Sequence, residues 1–210
     1  MQFTLLANVL LGLALSAAAQ PANISKAPVV LGNPSRLFEA TLLDKDNTTL
    51  RGAVNIWAEA VGVKVHADFW GVPEETALGK LISRDSSWIN TDLFYSLAYH
   101  IHEAPVPEDG DCYATGAHLD PYGRGQQPPC DITRPETCEV GDLSGKHSPI
   151  YTAAQEPFEA EYPDVFLSTD SNSPAYFGDL SIVVHLPDET RINCGNFVEI
   201  HYDDEVEAEE

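Results

Sequence analysis

Apolar residues in this chain recur in short runs at a spacing of two, and no window sustains a helical period. That property constrains the fold most, because a side-chain alternation of two has one apolar face to bury, and burying it takes a second sheet or a closed one. The clearest run is Val61 to Phe69, where Val61, Val63, Val65 and Ala67 alternate with Gly62, Lys64, His66 and Asp68. Further strands are expected at Leu37 to Leu43, Gly52 to Ala58, Leu93 to His102, Pro174 to His185 and Phe197 to Tyr202. Glu74 to Arg84 is expected to form one or two helical turns. Many short strands with Gly- and Pro-rich connections predict an all-β sandwich or barrel, and no repeat or hydrophilic linker divides it.

The two ends are read apart from that domain. Residues 1–19, MQFTLLANVLLGLALSAAA, carry no charge and hold an apolar core from Val9 to Leu15. Ala17, Ala18 and Ala19 follow before Gln20, the pattern of a cleaved signal peptide. The apolar core is short for a membrane span, which needs about 20 consecutive residues. The domain is therefore placed at 20–202, and residues 203–210 form an acidic tail expected to be solvated and disordered. The chain ends without a hydrophobic tail, so a soluble product is expected, secreted and either extracellular or associated with the cell surface. Sequons at Asn23 and Asn47 fit a glycosylated exported protein. With 11 basic against 33 acidic residues, nucleic acid and anionic membrane are excluded as expected partners.

Four cysteines in an exported chain favour two disulfides over a metal cluster, since no close zinc-type spacing is present. Four thiols allow three pairings. Three of them lie in Ala104 to Pro149, a stretch long enough that it is expected to be functional. Just before it, His100 and His102 flank Ile101 on an expected strand, so both imidazoles point to one face and make a half-site for copper or zinc. His118 follows in a Gly-containing loop, and His185 ends the apolar run Leu180 to Val184. His66 and His201 fall on polar strand phases, and His147 sits in a loop; all three are read as surface.

Together these spacings resemble the copper/zinc superoxide dismutase family, whose copper is bound by two histidines on one strand, one in the next loop and one ending a late V-V-H strand. The resemblance covers about half of the chain, from Leu93 to Phe197. It implies a Greek-key antiparallel β-sandwich or barrel with long loops that carry metal ligands and disulfides. It assigns one copper per chain to His100, His102, His118 and His185, and superoxide as the substrate, converted to O₂ and hydrogen peroxide by Cu(II)/Cu(I) cycling. Cys112 stands six residues before His118, as the family's disulfide cysteine does, and Arg191 stands three before Cys194, as its active-site arginine does. The resemblance thus pairs Cys112 with Cys194 and leaves Cys130 and Cys138 to pair within one loop. Arg191 would supply positive charge beside the metal, its guanidinium being protonated at any relevant pH. Outside this context it would be read as a surface ion pair with Asp188 or Glu189.

Two departures matter. Glu139 to Lys146, EVGDLSGK, is similar to the family's H-V-G-D-L-G-N segment, with Asp142 at the zinc-ligand aspartate but Glu139 where a histidine stands. No other histidine lies between His118 and Asp142, so zinc is not expected, and the pattern is similar to the fungal extracellular copper-only members. The free ring nitrogen of His118 then needs Asp142 or Glu139 as its acceptor. In addition, only five residues separate His185 from Arg191, which predicts an open site without a charged channel loop. A non-catalytic copper-binding or surface-interaction module of the same fold is the alternative; it would have no use for Arg191. A hydrolase finds no G-x-S-x-G or H-E-x-x-H support. Nothing specifies an oligomer, and a monomer is favoured.

Overall fold

The computed structural model describes residues 25–73, 94–153 and 156–201. The signal segment with Asn23, the helical turns expected at Glu74 to Arg84 and the acidic tail lie outside the described residues. Among the described residues eight strands follow one another: β1 (Leu37–Thr41), β2 (Arg51–Ala58), β3 (Val63–Trp70), β4 (Phe94–His102), β5 (Ile150–Ala153), β6 (Phe158–Asp164), β7 (Ser181–His185) and β8 (Arg191–Ile200). All pairings are antiparallel, in the order β5-β4-β7-β8-β1-β2-β3-β6. The end strands β5 and β6 touch, which nearly closes the sheet into a barrel. Consecutive strands are unpaired at three steps, β3 to β4, β5 to β6 and β6 to β7, and these crossovers give the Greek-key connectivity.

Alternation drives the closure. Val54 and Ile56 of β2 and Val63, Val65, Ala67 and Phe69 of β3 are fully buried, while the residues between them are partly exposed. Each large apolar side chain so buried contributes roughly 1.5–3 kcal/mol. Tyr99 and Ile101 of β4 join the same core, which turns His100 and His102 to the other face.

The strand limits depart from the sequence expectation in several places. Pro174 to His185 is a strand only from Ser181, because Ala175 and Phe177 are buried as a plug at the barrel end rather than paired in the sheet. The Phe177 ring meets Phe38 at 5.2 Å and Phe197 at 5.0 Å. The strand expected at Phe197 to Tyr202 begins earlier, at Arg191, because Arg191 to Asn196 pair with β7 before Phe197 to Ile200 pair with β1. Strands β5 and β6 were not foreseen, although Phe158, Ala160 and Tyr162 of β6 alternate with exposed Glu159, Glu161 and Pro163; β6 pairs with β3.

The stretch Ala104 to Pro149 is ordered by short elements: a 3-10 turn at Cys112–Thr115, another at Pro135–Thr137, and helix α1 (Leu143–His147). Two disulfides tie it down, Cys112–Cys194 to β8 and Cys130–Cys138 within the stretch. The first spans 82 residues of sequence. In the chain-entropy model a loop of that length stabilises the fold by about 4–5 kcal/mol.

Candidate metal centre

Strand β4 lies against β7 with His100 opposite Val183, His102 opposite Ser181 and Ala98 opposite His185. Paired residues share a face, so His185, opposite Ala98, stands on the histidine face of β4, and a register shift between β7 and β8 at this point brings Arg191 opposite His185. The loop histidine arrives by a three-part backbone clasp. Leu119 N–H donates to Ile101 O (2.8 Å), Gly141 N–H to Leu119 O (2.8 Å) and Ile101 N–H to Gly141 O (2.9 Å). Gly141 is required there, since a Cβ would strike the Ile101 carbonyl. The clasp seats His118 beside β4 and Glu139 beside His118.

His100, His102, His118 and His185 thus converge, each offering one ring nitrogen within 4.8 Å of the others. Their ring centroids lie 4.0 Å apart for His100 and His118, 4.8 Å for His100 and His185, and 5.2 Å for His102 and His185. His102 is buried completely and His185 nearly so.

The hydrogen bonds set which nitrogen faces inward. His118 Nδ1 donates to Glu139 Oε2 (2.6 Å), and His185 Nδ1 to Glu189 O (3.3 Å). His102 Nδ1 has Gly116 O at 3.1 Å and Thr115 Oγ1 at 3.1 Å. Carbonyl and carboxylate oxygens only accept, so these three rings carry their proton on Nδ1 and their lone pair on Nε2. His100 is reversed: its Nε2 faces Asp142 Oδ1 at 3.4 Å, and its buried Nδ1 has no hydrogen-bond partner.

These features fit a first-row metal ion. An orphaned, buried His100 Nδ1 is expensive unless something electropositive meets it. His102 Nε2 and His185 Nε2 are 3.1 Å apart with both protons committed elsewhere, which juxtaposes two lone pairs. Two nitrogens bonded at about 2.0 Å to one ion sit about 3 Å apart. Three of the rings are also kept neutral: burial, then the proximity of His118, Arg191 and His185, push His102 down to about 2. Burial and His100 push His185 down to about 3, and burial lowers His100 as well. An all-imidazole set of this kind suits copper.

Arg191 lies opposite His185 across the β7–β8 pair. Its Nη1 donates to Cys112 O (2.8 Å) and Thr115 Oγ1 (3.1 Å), and its Nη2 to Gly116 O (2.7 Å). The Tyr113 ring lies 5.3 Å from the guanidinium carbon. No ion pair of Arg191 with Asp188 or Glu189 forms among the described residues; Asp188 instead caps its own turn through Thr190 N–H. Arg191, His100, His118, His185, Glu139 and Asp142 all line one cleft of about 510 Å³.

The remaining residues sort as follows. Glu139, not Asp142, accepts from His118; Asp142 caps α1 by accepting from Gly145 N–H (2.7 Å) and faces His100. His147 is not a surface residue. Helix α1 turns it inward, where Nε2 reaches Asp164 (2.9 Å) and the ring stacks on Tyr162 at 4.2 Å. His66 pairs with Glu159 at 3.0 Å, and His201 is exposed. Asn47 is exposed in a turn. Sequence reasoning missed Thr115, Gly116 and the Glu189 carbonyl: carbonyl acceptors leave no mark in a sequence, and only the C-Y-A-T-G spacing before His118 hinted at Thr115.

No protein-family model matches the chain. The cell-surface Cu-only superoxide dismutase of Arthroderma benhamiae is 40% identical over 197 residues, which is 89% of this chain and 52% of that protein. The cell-surface Cu-only superoxide dismutase 5 of Candida albicans is 42% identical over 98 residues, 47% of this chain and 40% of that protein. The chain spans about half the length of the relatives it matches, or less. Among solved structures, Candida albicans superoxide dismutase 5 in a Cu(II) form superposes with a TM-score of 0.64 at 30% identity, over 81% of this chain and 95% of that chain.

Proposed function

The chain belongs to the copper/zinc superoxide dismutase family, beside its fungal Cu-only members, and from that premise we propose that it is a secreted or cell-surface, copper-dependent superoxide dismutase. The observation that carries the reading is the set of four imidazoles whose inward nitrogens, three Nε2 and the orphaned His100 Nδ1, face one point. His100, His102, His118 and His185 would hold one copper. A copper ion in this cage supplies a one-electron Cu(II)/Cu(I) couple, able to take an electron from one superoxide and give one to a second, which leaves as hydrogen peroxide after gaining two protons.

The chain's own residues supply the rest. Of the five guanidinium N–H groups of Arg191, three are committed to Cys112 O, Thr115 Oγ1 and Gly116 O. The other two have no acceptor among the described residues, and they are the donors available to an anion in the cleft. The formal net charge of −22 opposes an anion at long range. Charges beyond about 8 Å are largely screened at physiological salt. At ~5 Å a single cation is worth roughly 0.8 kcal/mol in bulk water and about 3 kcal/mol at an effective dielectric of 20. Arg191 therefore supplies local positive charge to a cleft that Glu139 and Asp142 also line. Glu139 holds the His118 proton on Nδ1, which both fixes the ring and occupies the nitrogen a second metal would need. That contact supports a copper-only site without zinc.

The test is metal content together with superoxide consumption by the purified protein. One copper per chain, no stoichiometric zinc and catalytic loss of superoxide are expected. Copper retained without turnover would favour the alternative, a non-catalytic copper-binding module.

A further inference from the structure

Thr115 belongs to no assigned role, yet it is completely buried and its hydroxyl sits between the two chemical parts of the site. The hydroxyl hydrogen goes to Cys112 O (2.9 Å). With that hydrogen committed, Oγ1 can only accept toward its other neighbours. Those neighbours are Arg191 Nη1 at 3.1 Å and His102 Nδ1 at 3.1 Å. Gly116 O, the next acceptor along the chain, repeats the arrangement, with Arg191 Nη2 at 2.7 Å and His102 Nδ1 at 3.1 Å.

We propose that Thr115 is a positioning residue that couples the anion-binding arginine to a metal-facing histidine through one shared hydroxyl. Two consequences follow from the bonding. His102 meets nothing but acceptors at Nδ1, so its proton stays there and its Nε2 lone pair stays turned to the other imidazoles. Arg191 Nη1 is drawn to the same oxygen, so the guanidinium cannot swing into solvent without leaving a buried hydroxyl short of a donor. The Cys112–Cys194 disulfide anchors the 3-10 turn that carries Thr115 to the strand that carries Arg191, which holds both partners in register.

The inference rests on the superoxide dismutase reading, and the experiment separates the two. Thr115→Val keeps the shape and removes the hydroxyl; Thr115→Ser keeps the hydroxyl and removes a methyl. Each copper-loaded protein is titrated with azide, an anion whose binding is read spectroscopically without turnover, and superoxide consumption is measured beside it at low and high ionic strength. For Thr115→Val we expect copper stoichiometry retained, azide affinity reduced about three- to tenfold, a flatter salt dependence of the rate and a shifted copper resonance spectrum, with Thr115→Ser restoring each toward the parent. If Thr115→Val binds azide as the parent does with an unchanged spectrum, the coupling is refuted. It is equally refuted if Thr115→Ser is as impaired as Thr115→Val, since packing and not the hydroxyl would then be at issue. If the parent binds copper but consumes no superoxide, the functional reading fails, while a weakened azide affinity in Thr115→Val still upholds the coupling.

Discussion

Beneath the metal centre lies an ion pair that removing one residue should expose as a main support of the loop. Lys146 and Asp164 pair with both side chains fully buried. Lys146 Nζ also donates to Val140 O (2.7 Å), and Val140 stands between Glu139, which holds His118, and Gly141, which closes the clasp onto β4. Burial works against ionisation of Asp164, but Lys146 and His147 outweigh it and hold the carboxyl well below the usual carboxylate range. Lys146→Met keeps the aliphatic volume and leaves that carboxylate without its ammonium. Breaking a buried pair from one side costs about 3–5 kcal/mol. His147 Nε2 and Phe166 N–H, each at 2.9 Å, remain on Asp164 and place the loss near the lower figure. For a domain of this size, about 3 kcal/mol corresponds to a fall in Tm of roughly 6–12 °C. The assay is denaturant and thermal unfolding of the metal-free protein with disulfides intact, followed by circular dichroism. Lys64→Met is the control, because Lys64 pairs with Glu161 on the surface and should leave the transition unmoved. The sign of the pH dependence is fixed as well. The folded Asp164 carboxyl is depressed, so its contribution is present above the unfolded value of about 3.9 and is lost as pH falls below it. The gap between parent and Lys146→Met should therefore close in acid. A loss below about 1 kcal/mol at neutral pH, or an equal loss in Lys64→Met, would refute the reasoning.

Other expectations follow from the same geometry. Arg191→Ala should slow superoxide consumption about tenfold, equivalent to roughly 1.4 kcal/mol, with copper retained; matched rates at low salt would make the arginine a bystander. Glu139→Gln should lower copper affinity or activity by about 10–100-fold, the usual effect of losing an oriented acceptor, measured by competition with a chelator and by activity. His185→Ala should abolish activity with both disulfides intact, whereas His201→Ala should leave it unchanged; equal losses would mean the ligands are misassigned. Metal-free protein should be most stable above pH 6.5 and weaken as pH falls through that value toward 3, because His102 and His185 stay neutral in the fold while their unfolded counterparts protonate. By pH 5 the linkage amounts to up to about 2 kcal/mol for each histidine, and unfolding titrations at pH 7.5 and pH 5 with and without copper would read it.

Period-two alternation was legible along β3 and at the histidine pair of β4. It placed Val63, Val65 and Ala67 in the core, and it set His100 and His102 on one face of β4. It failed where tertiary pairing overrides the local pattern. Pro174 to Leu180 is not a strand because Phe177 packs as a plug against Phe38, whereas Phe158, Ala160 and Tyr162 do alternate with Glu159, Glu161 and Pro163 and that strand was overlooked. His147 was misplaced for a related reason: five helical residues turn a loop side chain inward onto Asp164, and a surface pattern cannot announce so short a turn.

By itself the sequence determined the fold class, through alternation, and the family, through the spacing of four histidines, two cysteines and an arginine. These are properties of order along the chain, and covalent spacing carries them directly. Only the tertiary structure decided which acceptor meets which donor. Glu139 rather than Asp142 takes the His118 proton, His100 turns Nδ1 inward while the other three turn Nε2, and Thr115 stands between Arg191 and His102. Those choices depend on differences of an ångström between groups far apart in sequence. Thr115 and Arg191 are 76 residues apart, and the nearly closed barrel and its disulfide bring them within hydrogen-bonding distance.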